Sequence, residues 1–315
     1  MPLRVAFFGT PAFAVPTLER LVNSPHTVVG VITQPDKPRG RGQQISDGPV
    51  KSLAGALGLP VLQPARLSRE SFEAAFLPLH ADIGVVAAYG KILPDWLLAA
   101  PRLGLINVHA SLLPRYRGAS PVHRAVINGD PETGVTIMRV VKELDAGAMI
   151  ASARVPIGID DTTTIVESTL ALRGAELLVS TLDAIESGTA RETLQDPALV
   201  TYAPKLTKAE GLVDWSLTST KIHNLVRGLW PWPHAFTYLG PMRHILHRSR
   251  LSPRETADAP GTIIHASATE GLHVACGGGT ALELVDVQLE GKRVMSARDA
   301  MAAKTLVAGA RFSEP

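Results

Sequence analysis

The 315-residue sequence has a single cysteine, Cys276, so it can close no internal disulfide and cannot supply a Cys-rich zinc site. Cys276 is expected to fill a core position. No uncharged apolar run reaches the ~18–20 residues that span a bilayer. Met1-Pro2-Leu3-Arg4 leads into a short apolar strand, without the longer core and cleavage site of a secretory signal. A soluble, cytoplasmic protein is expected. Chemical signatures are missing too. Gly9-Thr10-Pro11 after the first strand is not the G-x-G-x-x-G of a dinucleotide site, and there is no P-loop lysine and no G-x-S-x-G elbow. His244 and His247 have no companion ligands nearby in sequence, so no metal is expected.

What is present is apolar enough to fold: 45% of residues are hydrophobic and 19% charged, which excludes a mainly disordered chain. The length suggests two domains. The net charge of +2 says little, but its distribution is uneven. Trp215 to Arg254 contains six basic residues, four histidines (His223, His234, His244, His247) and no acid. Such a stretch fits a polyanion partner, and equally a solvated basic helix and hairpin.

The first half alternates strand and helix signals. Leu3–Gly9, Thr27–Thr33, Asp82–Ala88 and Gly104–His109 read as buried strands, with helices over Val50–Leu57, Ser68–Leu79 and Pro94–Ala100. Pro11 stands where a first-turn proline would start a helix. Continuous apolar strands separated by helices predict an α/β domain with a parallel, Rossmann-like sheet covered on both faces. Ligands of such sheets bind beyond the carboxyl ends of the strands, where His109 sits. Thr162–Ser187 reads as a long helix closing this domain. We therefore expect a catalytic domain over 1–188, a linker over 189–207 and a second domain over 208–315. Its runs Ala235–Leu239, Arg243–Arg248, Gly261–His265, Leu272–Cys276 and Ala281–Val287 predict a small β-barrel of the oligonucleotide-binding (OB) type.

The densest polar cluster is Asn107-Val108-His109-Ala110-Ser111-Leu112-Leu113-Pro114-Arg115-Tyr116-Arg117-Gly118. On a strand, Asn107 and His109 point to one face, where an amide and an imidazole could serve one developing oxyanion. Histidine could also move a proton near neutral pH. Equally, both could only tie down the following loop. In Glu143-Leu144-Asp145-Ala146-Gly147, Asp145 could fix the tautomer of a nearby imidazole, or be an ordinary turn aspartate. The loop Gln34 to Gln44 is long and basic, as in segments that order on nucleic acid, or as in a plain solvated loop.

The cluster from Asn107 to Gly118, with Leu144-Asp145-Ala146-Gly147, resembles the folate-dependent formyltransferases. Phe8-Gly9-Thr10-Pro11, Thr33-Gln34-Pro35-Asp36-Lys37-Pro38, Gly40-Arg41-Gly42, Ala88-Tyr89-Gly90-Lys91-Ile92-Leu93-Pro94, Glu132-Thr133-Gly134-Val135-Thr136-Ile137-Met138 and Pro231-Trp232-Pro233 extend the resemblance along the whole chain. It implies formyl transfer from 10-formyltetrahydrofolate to the amino group of methionyl-initiator-tRNA, without a metal. By the same resemblance, Asn107, His109 and Asp145 are catalytic. Ser111, Leu112, Leu113 and Pro114 meet the folate. Lys37, Arg39 and Arg41 meet the tRNA acceptor end, and the second domain holds the tRNA body through a basic surface. A monomer is expected. Relatives often continue the basic loop with two lysines, where this chain has Gln43 and Gln44. Two other readings are a formyltransferase acting on an amino-sugar nucleotide and a non-catalytic tRNA-binding protein on the same scaffold.

Overall fold

The computed structural model describes residues 1–36, 38–39, 44–302 and 305–313. The chain forms two compact units. The first comprises Met1–Gly118, Thr133–Pro156 and Glu167–Ala203; the second comprises Ala119–Glu132, Ile157–Val166 and Pro204–Pro315. The strands up to Pro156 are β1 (Arg4–Gly9), β2 (Thr27–Ile32), β3 (Pro38–Arg39), β4 (Gln44–Ile45), β5 (Val61–Leu62), β6 (Ile83–Ala87), β7 (Leu105–His109), β8 (Glu132–Arg139) and β9 (Met149–Pro156). The helices are α1 (Val15–Val22), α2 (Pro49–Ala56), α3 (Arg69–Phe76), α4 (Asp95–Leu98), α5 (Pro121–Asn128), α6 (Thr163–Glu186), α7 (Ser219–Gly228) and α8 (Ala297–Met301).

The first unit is built on a seven-stranded sheet in the order β5-β2-β1-β6-β7-β8-β9. The first five of these run parallel, and β8 pairs with β7 antiparallel. Val5, Ala6, Phe7 and Phe8 are all fully buried, on both faces of β1. That double burial explains why its sequence is a continuous apolar run rather than an alternating one. Phe8, Phe72, Phe76, Tyr89 and Trp96 form a chain of tilted and edge-on ring contacts on one face. Pro11 starts only a three-residue 3-10 turn, Ala12–Ala14; the proline in the first turn of α1 is Pro16.

The second unit adds β10 (Ala235–Leu239), β11 (Met242–Glu255), β12 (Ile263–Ser267), β13 (Gly271–Ala275), β14 (Thr280–Leu289) and β15 (Met295–Ser296). The sheet order is β10-β11-β14-β13-β12, and β15 pairs with β14. The two edges are joined by the last described residues. Ser313 exchanges both backbone hydrogen bonds with Tyr238 of β10, while Gly309 and Ala310 bond Ile263 of β12. This segment thereby bridges β10 and β12 and closes the sheet into a barrel. Trp215 stacks on Phe312 at 5.6 Å, over a core that includes Leu246, Leu282 and Cys276.

The units interleave the chain, where the sequence reading divided it serially. α5 packs on α7 so closely that a Cβ on Gly228 would lie 2.5 Å from Ile127 Cγ1. Residues 157–166 join the same unit through polar contacts: Thr163 donates to Gly228 O (2.8 Å), and Arg227 donates to Gly158 O and Asp161 O (2.9 and 2.8 Å). The stretch expected to be a linker is bound, up to Ala203, into the first unit.

The basic surface expected from Trp215 to Arg254 is also different in space. Arg227 is buried in those contacts. Arg248 pairs with Asp286 at 2.8 Å and Arg250 with Glu283 at 3.4 Å, both across β11 and β14; Arg254 pairs with Glu270. Arg243 lies over the Phe236 ring at 3.9 Å. The stretch lacks acids in sequence, but the fold brings acids to it from elsewhere.

Candidate active site

The site lies wholly in the first unit. β7 sits between β6 and β8, with Asn107 opposite Val86 and Met138, and His109 opposite Thr136. Its burial keeps His109 at the carboxyl end of the strand, 5% exposed, while Asn107 two residues earlier is half-buried on the same side. The Nε2 of His109 is 3.0 Å from the carbonyl oxygen of Tyr116. A carbonyl only accepts, so Nε2 carries the proton and Nδ1 is the nitrogen left for chemistry. Nδ1 faces Asp145 Oδ2 at 3.7 Å. The structure therefore brings His109 and Asp145 together, with Asn107 two residues before His109 on the same strand, and with one difference from the expected roles. The tautomer is set by Tyr116, and Asp145 is too far away for a direct hydrogen bond.

Asp145 is held by other groups. Its Oδ2 accepts from Gly118 N at 2.8 Å. Its backbone is left-handed, with φ +47, as is that of Tyr116 at φ +61. Such conformations are costly for residues other than glycine, and persist where surrounding contacts over-determine them. Gly147 lets the same loop turn back onto β8, because a Cβ there would lie 1.9 Å from Arg139 O.

The segment expected to meet the folate is a tight, internally bonded loop. The Ser111 hydroxyl donates to Arg115 O (2.7 Å), while Thr136 Oγ1 donates to Ser111 O (2.7 Å) and accepts from Leu113 N (3.2 Å). Ser111 and Leu113 are buried; Leu112, which packs on Gly134, and Pro114 are half-exposed. Lys37, Arg41 and Gln43 lie outside the described residues. Arg39 and Gln44 are in register on β3 and β4. Among the described residues, no group of three or more His, Cys, Asp or Glu side chains is placed to hold a metal ion, and no helix is long and apolar enough to cross a membrane.

Residues that the sequence reading passed over complete the site: Tyr116 through its carbonyl, Gly118 through its N–H, and Gln195 and Thr201 from the supposed linker. The TYA run at 201–203 gave no chemical signal, because its contacts use backbone groups and a single threonine hydroxyl. Among the described residues, no hydroxyl or thiol is bonded to either ring nitrogen of His109, so none of them is set to be activated by the imidazole as a nucleophile. An amide and an imidazole at a strand end, opposite a carboxylate, instead suit direct transfer of an acyl group. Fold and site define an acyl-group transferase of the α/β class.

Comparison with known proteins narrows this. Residues 3–182 match the formyl transferase family, and residues 205–305 match the formyl transferase C-terminal domain. The chain belongs to the formyl transferase family. It is 45% identical to a methionyl-tRNA formyltransferase of Geotalea uraniireducens and 46% identical to one of Methylococcus capsulatus, over 98% of this chain and 97% and 99% of theirs. Among solved structures it resembles an N-formyltransferase from Helicobacter canadensis in complex with folinic acid and dTDP-3-aminofucose. That match has a TM-score of 0.70 at 19% identity, covering 90% of this chain and 98% of the other. At that identity the likeness is one of fold.

Proposed function

We propose that the protein transfers the formyl group of 10-formyltetrahydrofolate to the amino group of methionyl-initiator-tRNA, in the cytoplasm, for translation initiation. The observation that carries this reading is identity near 45% with methionyl-tRNA formyltransferases over the full length of both chains, second unit included. The sugar-nucleotide reading is supported by likeness of fold alone.

In the reaction, the neutral amine of the methionyl group attacks the formyl carbon and the carbonyl oxygen becomes negative. Asn107 Nδ2 and the Nδ1–H of a protonated His109 donate hydrogen bonds to that oxygen. Collapse re-forms the carbonyl and breaks the bond to the folate nitrogen, which leaves with a proton. Nδ1–H gives this proton to the leaving nitrogen, and Nδ1 then takes the proton that the attacking amine loses, because Nε2 is committed to Tyr116. Asp145 supplies the counter-charge when Nδ1 is protonated. Leu112 and Pro114 offer the folate an apolar contact, with Ser111 and Leu113 holding the loop in shape. Lys37, Arg39 and Arg41 approach the acceptor end of the tRNA. In this reading the protein acts as a monomer.

Purified protein given 10-formyltetrahydrofolate, and in turn initiator Met-tRNA, elongator Met-tRNA and an amino-sugar nucleotide, tests the reading. Formylation of the initiator species well above the other two is expected. Transfer to the sugar nucleotide alone overturns it, and binding of tRNA without transfer favours the non-catalytic scaffold.

A further inference from the structure

The segment that follows α6 is stitched to both loops flanking His109. Thr193 exchanges backbone hydrogen bonds with Met149 at 2.8 Å each. Thr201 O accepts from Arg117 N at 2.9 Å, and Arg117 O accepts from Ala203 N at 2.7 Å. Between these two anchor points lies Gln195, half-buried among exposed neighbours.

Its amide reaches both loops at once. Nε2 donates to Asp145 O and to Gly147 O, each at 2.8 Å. Oε1 accepts from Arg117 Nε at 3.0 Å and Nη2 at 2.8 Å. Carbonyls only accept and a guanidinium only donates, so the orientation of this amide is fixed by its partners. Both donors and both acceptor positions are used. Gly118 N, next to Arg117, donates to Asp145 Oδ2 and closes a ring through Gln195, Arg117, Gly118 and Asp145. Thr201 Oγ1 accepts from Tyr116 N at 2.9 Å, and so braces the residue whose carbonyl holds His109 Nε2.

We propose that Gln195 is a positioning residue for formyl transfer: its amide clamps the Asp145 loop to the Arg117 loop and sets the Asp145 carboxylate against His109 Nδ1. The left-handed backbone of Asp145 has a reason to relax once the two bonds to Asp145 O and Gly147 O are gone. A shift of about 1 Å in a catalytic group costs roughly 10²-fold in rate. The substrates themselves are bound by other residues, so the loss falls on kcat. The inference rests on the catalytic reading of His109 and Asp145.

The test uses the full-length protein with Gln195→Ala, Gln195→Glu, Asp145→Asn and the double variant Gln195→Ala/Asp145→Asn. Glutamate keeps the acceptor for Arg117 but sets a carboxylate oxygen against the two carbonyls. The expectation for both Gln195 variants is a kcat roughly 10- to 100-fold lower, with KM for Met-tRNA and formyl donor within about twofold, a displaced pH profile, and unchanged circular dichroism. In the Asp145→Asn background the Gln195→Ala change should cost little more, because groups that act through one another are not additive. Unchanged kcat and pH profile in the Gln195 variants, beside a damaged Asp145→Asn, overturn the clamp and leave the catalytic reading standing. Fully additive losses also overturn it. A fully active Asp145→Asn protein overturns both. If Gln195→Ala does not fold, Gln195→Glu decides, since it keeps the size and the Arg117 contact.

Discussion

His109 Nε2–H donates a hydrogen bond to the carbonyl of Tyr116 at 3.0 Å, which leaves Nδ1 facing Asp145 Oδ2 at 3.7 Å. The ring is thus held from the side away from the carboxylate. Its reactive nitrogen is chosen by a backbone carbonyl, one that every substitution at position 116 keeps unless the loop refolds.

This arrangement makes the contributions of Asn107 and His109 separable. Asn107→Ala removes an oxyanion donor and should lower turnover by roughly 10²–10³-fold. His109→Ala, which removes both the charge and the proton seat, should come close to abolishing formylation. Single-turnover rates with saturating Met-tRNA and formyl donor measure both. Near-normal rates in both variants would sink the mechanism.

Acid should weaken the second unit selectively. His123, His223, His234 and His244 all belong to it, and burial holds each below its ordinary value. For His234, with His247 and Arg243 adding like charge, the fall is from 6.5 to about 4. Above the ordinary value both folded and unfolded chains are neutral at these rings. As pH falls below 6.5, the unfolded chain binds protons that the folded one refuses, so stability is lost, and for His234 the loss continues to about 4. In the first unit, burial pushes Glu167 up from the ordinary 4.5, which costs stability at neutral pH and is relieved on acidification. Amide hydrogen exchange at pH 7 and pH 5 should therefore show lost protection in β10–β14 before the seven-stranded sheet. Equal loss in both units would contradict this account.

Tyr89 offers a test of the core. It is 1% exposed and packs edge-on against Phe8 at 5.6 Å, and burial pushes its phenol up to about 12. Its hydroxyl has no hydrogen-bond partner among the described residues. A buried unpaired polar group costs about 1–3 kcal/mol, so Tyr89→Phe should leave stability unchanged or raise it by about 1 kcal/mol. Tyr89→Ala should lose about 3–5 kcal/mol through the cavity it opens. Urea unfolding of the pair measures both. A phenylalanine variant less stable by more than 1 kcal/mol would show that the hydroxyl is satisfied.

Much of the fold was legible because its signals are local. β1, β2, β6 and β7 are short apolar runs bounded by turn residues, and each lies within one or two residues of its expected span. The strands of the barrel alternate and were readable too, except that β11 runs seven residues past its expected end at Arg248. β9 was missed because only one of its eight residues is buried, and α5, as long as α2 and α3, was not picked out. Closure of the barrel was also hidden, since it depends on single bridges from residues 309–313 to two distant strands. At the site, Asn107, His109 and Asp145 stand out by residue type. Gln195 does not: a glutamine in a polar stretch looks the same whether it is solvated or fully bonded.

By itself, the amino-acid sequence determined the α/β-then-barrel order of elements, the placing of Asn107 and His109 on one strand face, and the motifs of a formyl transferase. Those properties follow from chain-local periodicity and residue chemistry. The tertiary structure alone decided three others: which nitrogen of His109 is free, what holds Asp145 in a left-handed backbone, and that Arg248, Arg250 and Arg254 are neutralised by Asp286, Glu283 and Glu270. Each depends on groups that are distant along the chain meeting within a few ångströms. Hydrogen bonds and ion pairs act at that range, whatever the separation in sequence.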